Sequence, residues 1–90
     1  MADICVLGLG YVGLPTALSL ACQGAEIIGV DVDESRLSSI KASRVDLLPR
    51  DKVRLTRMLR EESLRLTTEA SAIAAANAVV VCVPTQSMLI

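Results

Sequence analysis

At 90 residues, with 52% hydrophobic and 21% charged side chains, the chain has room for one core and is too apolar for a disordered segment. Nine Lys and Arg against ten Asp and Glu leave a net charge of −1, and Tyr11 is the only aromatic residue. That excludes the basic surface and the stacking platforms by which proteins hold nucleic acid. Histidine is absent, which removes the commonest metal ligand and the commonest general base.

Cysteines stand at positions 5, 22 and 82. The number is odd and no Cys-x-x-Cys pair occurs, so no metal site or redox motif is expected. Each lies in an apolar run, which predicts buried thiols in a reducing cytoplasm.

From Ile4 to Ala25 no side chain is charged, a run that superficially resembles a membrane span or an export signal. Asp3 precedes it and no Lys or Arg occurs before Arg36, whereas an export signal needs positive charge first. Gly8, Gly10, Gly13 and Pro15 crowd its middle, which a smooth apolar helix would not tolerate. A strand, a glycine turn and a buried helix account for it, and no membrane contact is expected.

In chain order, Ile4–Leu7 reads as a strand buried on both faces, ended by Gly8. A helix follows the glycine turn through about Cys22, with Pro15 in its first turn and Gly24 as a left-handed C-cap. Ile27–Val30 is a second buried strand ending at Asp31. Asp33 is a good N-cap for a helix over Glu34–Ala42, whose inward stripe of Leu37, Ile40 and Lys41 is thin. A second helical pattern covers Asp46–Glu62, with Leu55, Met58 and Leu59 on one face. Its Arg50, Lys52, Arg54, Arg57 and Arg60 are interrupted by Asp51, Glu61 and Glu62, as on a solvated face. Leu64–Thr67 alternates like a strand near a sheet edge. Thr68 is placed to cap a short Ala-rich helix over Glu69–Ala76, with Asn77 at its end. Ala78–Val83 is the most strand-like block, and Pro84-Thr85 stops it.

The order βαβα(α)βαβ predicts an α/β fold: a Rossmann-like parallel sheet with helices on both faces and strand order 3-2-1-4. The last strand would then lie beside the first.

Gly8-Leu9-Gly10-Tyr11-Val12-Gly13 is a Gly-x-Gly-x-x-Gly motif. Alone it is weak, but here it follows a strand, opens a helix and precedes an acid at the end of the next strand. Gly8 permits the tight turn, Gly10 lets backbone approach a pyrophosphate, and Gly13 lets the helix pack close to the strand. The helix N-terminus offers free N–H groups to phosphates. Asp31, 18 residues after Gly13, is placed to accept hydrogen bonds from the adenosine ribose, and its charge would repel a 2′-phosphate. NAD is therefore favoured over NADP. The plainer alternative is a glycine-rich turn with a capping Asp. Arg36, one turn into the next helix, is either a reach toward the adenosine end or a solvated side chain.

Three segments in register, Gly8–Ala17, Ile28–Asp33 and Val81–Thr85, resemble the N-terminal part of the nucleotide-sugar 6-dehydrogenases, the UDP-glucose/GDP-mannose dehydrogenase family. The Gly13-Leu-Pro-Thr-Ala17 wording looks closest to the UDP-N-acetylmannosamine branch. The resemblance implies oxidation of the C6 hydroxyl of a UDP-N-acetylhexosamine to a carboxylate with two NAD+. The alternatives are a UDP-glucose 6-dehydrogenase or a non-catalytic dinucleotide-binding module. Carried over by position, Tyr11, Val12, Asp31, Arg36 and Thr85 would contact NAD. The family's nucleophilic Cys, its Lys and its sugar-binding domain match nothing between Met1 and Ile90. Residues 1–90 are thus expected to be an incomplete NAD-binding Rossmann domain without catalytic residues, inactive by itself. The resemblance implies a cytoplasmic homodimer when complete.

Overall fold

The computed structural model describes residues 2–82. Its runs of Val, Ile and Leu become four parallel strands: β1 (Ala2–Leu7), β2 (Ile27–Val30), β3 (Leu64–Thr67) and β4 (Ala76–Val81). They lie in the order β3-β2-β1-β4, as the sequence predicts. Cys5 pairs in register with Ile28 on β2 and with Val79 on β4. β2 is buried at all four positions, which explains why it shows no polar alternation. β3 sits at the edge, and its Leu-Arg-Leu-Thr pattern shows the alternation that a half-covered strand permits.

α1 (Gly13–Cys22) joins β1 to β2, and α2 (Glu34–Lys41) and α3 (Pro49–Arg60) join β2 to β3. These two crossovers step outward from β1 in the same direction. The last crossover steps back past β2 and β1, so a right-handed connection must use the opposite face. The core divides accordingly. On one face Val6, Leu9, Leu14 and Ile27 pack with Ile40 of α2 and Leu55 of α3. On the other, Cys5, Ile28 and Val30 pack against Ala72 and Ile73 of a 3-10 helix, Ala70–Ala75. Burying a side chain such as Ile40 or Leu55 stabilises by roughly 1.5–3 kcal/mol.

The helix ends follow local chemistry. Asp33 caps α2 by accepting the Arg36 N–H at 3.2 Å. Gly24, just past α1, has φ 99°. α3 is shorter at both ends than its periodicity predicts. Pro49 is preorganised for a first turn, and it forces Leu48 before it to be extended, at φ −62° and ψ 150°. At the other end Glu62 has φ 61°, so the chain has already left the helix.

Four further expectations are corrected. The Ala-rich segment is a 3-10 helix rather than an α-helix, since six residues do not offset α-helix nucleation. Thr67, not Thr68, supports its entry, accepting the Glu69 N–H through Oγ1 at 3.0 Å. β4 begins at Ala76, so Asn77 lies in the strand; Val83, the expected end, is outside the described residues. Cys5 is buried, but Cys82 is half-buried and Cys22 is exposed at the end of α1. An apolar run conceals which face of a helix a residue occupies.

Candidate dinucleotide site

Parallel strands deliver their carboxyl ends to one side of the sheet, and a crevice opens where the strand order reverses. Here the reversal is at β1, flanked by β2 and β4, and the glycine turn leaves the carboxyl end of β1. Gly8 adopts φ 93°, a conformation costly for any residue with a Cβ. Its N–H donates to the Val30 carbonyl at 2.8 Å.

The other two motif glycines differ in what requires them. A Cβ on Gly13 would lie 1.6 Å from the Gly8 carbonyl oxygen and 2.7 Å from its carbon. Because both are backbone atoms, the helix could not stay this close to the turn. A Cβ on Gly10 would meet nothing within 4 Å, and its φ is not in the left-handed region. Nothing in the described residues requires a glycine there. α1, which begins at this point, has no side-chain N-cap and no acidic residue in its first turn. Leu14 N–H already donates to the Gly10 carbonyl at 3.2 Å and Thr16 N–H to the Val12 carbonyl at 3.1 Å, and Pro15 has no N–H. Of the first-turn amides that leaves the Gly13 N–H, with the positive dipole, for an acceptor beyond the described residues.

Tyr11 and Val12 stand out from the turn, 93% and 66% exposed. Leu9 points the other way and is 2% exposed. Its backbone N–H donates to Asp31 Oδ2 at 2.9 Å.

Asp31 is 5% exposed and ties three segments together. Oδ2 accepts from Leu9 N–H and from Arg36 Nη1, each at 2.9 Å, and Oδ1 accepts from Asp33 N–H at 2.9 Å. Burial alone would push this carboxyl up. The Leu9 and Asp33 amides and the Arg36 guanidinium outweigh it and hold the group below the ordinary carboxylate range. The hydrogen bond to Asp31 and its charge in turn hold the Arg36 guanidinium in its cationic form. The sequence places Asp31 and Arg36 near one another, and the structure makes them an ion pair.

A cleft of about 280 Å³ runs from Leu9, Gly10 and Tyr11 to Arg36 and Leu47. A larger one, about 620 Å³, lies along α1 against the start of α3, with Leu18, Cys22, Arg54 and Arg57 in its wall. It touches none of the motif residues. Thr85 lies outside the described residues. Leu9 is the site residue that the glycine motif passes over, because the Gly-x-Gly-x-x-Gly pattern leaves its position unspecified. Its signal is an aliphatic side chain between two turn glycines. Among the described residues no cluster of Cys, Asp and Glu is arranged to hold a metal ion.

Comparison with known proteins agrees with this fold. Residues 2–88 match the family described as UDP-glucose/GDP-mannose dehydrogenase family, NAD binding domain. The chain is 40% identical over 86 residues to a UDP-N-acetyl-D-mannosamine dehydrogenase of Methanococcus maripaludis, covering 94% of this chain and 19% of that protein. Its fold is similar to that of UDP-D-ManNAc dehydrogenase from Pyrococcus horikoshii, with TM-score 0.80 and 32% identity over 90% of this chain and 20% of that one. GDP-mannose dehydrogenase from Pseudomonas aeruginosa also gives TM-score 0.80, at 30% identity over 91% of this chain and 19% of that one. The chain thus spans about one fifth of the length of the relatives it matches. With a glycine turn opening an uncapped helix at the switch point of a 3-2-1-4 sheet, the chain belongs to the UDP-glucose/GDP-mannose dehydrogenase family, within its NAD binding domain.

Proposed function

We propose that residues 1–90 hold NAD for a UDP-N-acetylhexosamine 6-dehydrogenase, a protein that oxidises the sugar C6 hydroxyl to a carboxylate with two NAD+. The observation that carries the reading is Gly10. Gly8 is accounted for by its φ and Gly13 by the backbone it packs against, whereas Gly10 faces open space at an uncapped helix N-terminus. A pyrophosphate on that spot supplies the missing reason. The Gly13 N–H and the positive end of the α1 dipole would bind it, and Tyr11 and Val12 would flank it.

Asp31 fits the ribose. A carboxylate has about four acceptor directions, and three are occupied by Leu9, Asp33 and Arg36. One direction on Oδ1 remains for a ribose hydroxyl. Arg36 would line the adenosine end, and Thr85 would complete the site from the segment after β4. The chain's own contribution is to bind and orient; the bound nicotinamide supplies hydride transfer. The substrate class is that of the UDP-N-acetyl-D-mannosamine dehydrogenases to which the chain is similar. A cytoplasmic homodimer is the proposed state of the whole protein, and the 90-residue chain by itself is expected to bind without turnover.

Calorimetry with NAD and NADP tests the reading. NAD is expected to bind and NADP to bind more weakly, because a 2′-phosphate would approach the buried Asp31 charge. Equal or tighter NADP binding overturns the ribose assignment.

A further inference from the structure

We infer that Gly29 is a positioning residue for the phosphate-binding turn: the missing Cβ at Gly29 seats the Leu9 side chain, and Leu9 sets the height of the turn. The role of the turn rests on the NAD reading above; the seating of Leu9 does not.

Gly29 occupies the interior of β2, in register with Val6 on β1 and Leu66 on β3. Glycine weakens a strand interior, since it loses the most backbone freedom and packs no side chain. Its neighbours Ile27, Ile28 and Val30 are all suited to a buried strand, so this one exception calls for a steric cause. An added Cβ would stand 2.9 and 3.0 Å from the two δ carbons of Leu9 and 3.1 Å from Leu66 Cδ2. The central strand therefore leaves a one-methyl recess that the Leu9 side chain fills.

Side-chain ends move aside cheaply when there is room. Leu9 has little, being 2% exposed within the cluster that includes Val6, Leu14 and Ile27. Two movements are open to it. It can rotate into the adjoining cleft, where it already forms part of the wall beside Gly10, Tyr11 and Arg36. Alternatively its backbone can rise, which stretches the 2.9 Å bond from its N–H to Asp31 Oδ2. The first movement fills cofactor space and the second displaces the turn. Either way, a methyl group added beneath the sheet surface is transmitted to the site.

The test uses the full chain as wild type, Gly29→Ala, Leu9→Ala/Gly29→Ala and Leu66→Ala/Gly29→Ala. Amide hydrogen exchange at residue 9 is read against the β2 amides in the same sample, and NAD affinity is read by calorimetry. Gly29→Ala is expected to speed exchange at residue 9 and weaken NAD, each by about tenfold, the effect of a modest overpacking strain. Removing the Leu9 δ carbons is expected to recover most of both, and trimming Leu66 is not. Unchanged exchange at residue 9 in folded Gly29→Ala, or recovery through Leu66→Ala alone, overturns the inference. If Gly29→Ala does not fold, the double variants decide: folding rescued by Leu9→Ala supports it, and rescue only by Leu66→Ala overturns it. A wild-type chain that binds no NAD overturns the cofactor reading, while exchange at residue 9 still decides whether Gly29 seats Leu9.

Discussion

The backbone N–H of Leu9 and the carboxylate of Asp31, 22 residues apart in sequence, meet at 2.9 Å in the interior of the site. This bond fastens the glycine turn to the end of β2. The adjoining bonds to Asp33 N–H and Arg36 Nη1 extend the linkage to the start of α2. A single buried carboxylate thus sets the position of the glycine turn relative to the end of β2 and the start of α2.

Replacing that charge tests both roles at once. Asp31→Asn keeps the shape but loses charge-assisted bonds worth about 1.5–3 kcal/mol each in favourable settings. NAD affinity is expected to fall about 10- to 100-fold, and the preference for NAD over NADP to shrink by about tenfold or more. Parallel titrations with the two cofactors measure this. An unchanged preference would assign Asp31 to the turn alone.

The same group makes stability depend on acid. Its carboxyl is held below the ordinary range in the folded chain, and an unfolded Asp titrates near ~3.9. Below that value the unfolded state binds more protons than the folded one, so the stabilisation present above it fades as pH falls through the folded pKa. Denaturation midpoints of wild type and Asp31→Asn should differ by a constant amount above about pH 5 and converge below about pH 4. A difference that stays constant into acid would mean that Asp31 is not preferentially ionised in the fold.

Gly10 and Gly13 should separate binding from folding. Gly13→Ala drives a Cβ into the Gly8 backbone, and such overpacking costs about 1–3 kcal/mol or more. For a chain of this size that lowers Tm by roughly 4–8 °C per kcal/mol. Gly10→Ala meets no neighbouring atom and should leave Tm within a few degrees while weakening NAD by about tenfold or more. Thermal melts and calorimetry on the pair give the answer, and full NAD affinity in Gly10→Ala would remove the pyrophosphate from that spot.

Among the described residues β4 has a hydrogen-bonded neighbour, β1, on one side only. Its sequence from Ala76 to Val81 carries no charge, and Val79 and Val81 are 41% and 61% exposed. Uncharged edges of this kind pair with other chains. The 90-residue chain is expected to self-associate as concentration rises, and Val81→Lys to suppress it, both read by light scattering. A wild-type monomer with a cooperative thermal transition would show that the edge is covered.

Much of this was legible in the sequence because it is local. Uninterrupted β-branched runs marked the buried strands, Asp33 marked a cap, and the strand–glycine turn–helix–strand–Asp order specified a dinucleotide fold with its strands in the order 3-2-1-4. What depended on tertiary packing was not legible. Whether Cys22 faces in or out depends on what lies against the end of α1, and the Ala-rich stretch has too few residues for its own helical signal to choose a geometry. The site divides in the same way. Asp31 could be picked out by its distance from the glycines, and its bonds to Asp33 and Arg36 are local, but its bond to Leu9 exists only once β1 and β2 are paired. Gly29 looks like an ordinary strand glycine until Leu9 is folded over it, because the recess it leaves is a property of two segments brought together and not of either alone.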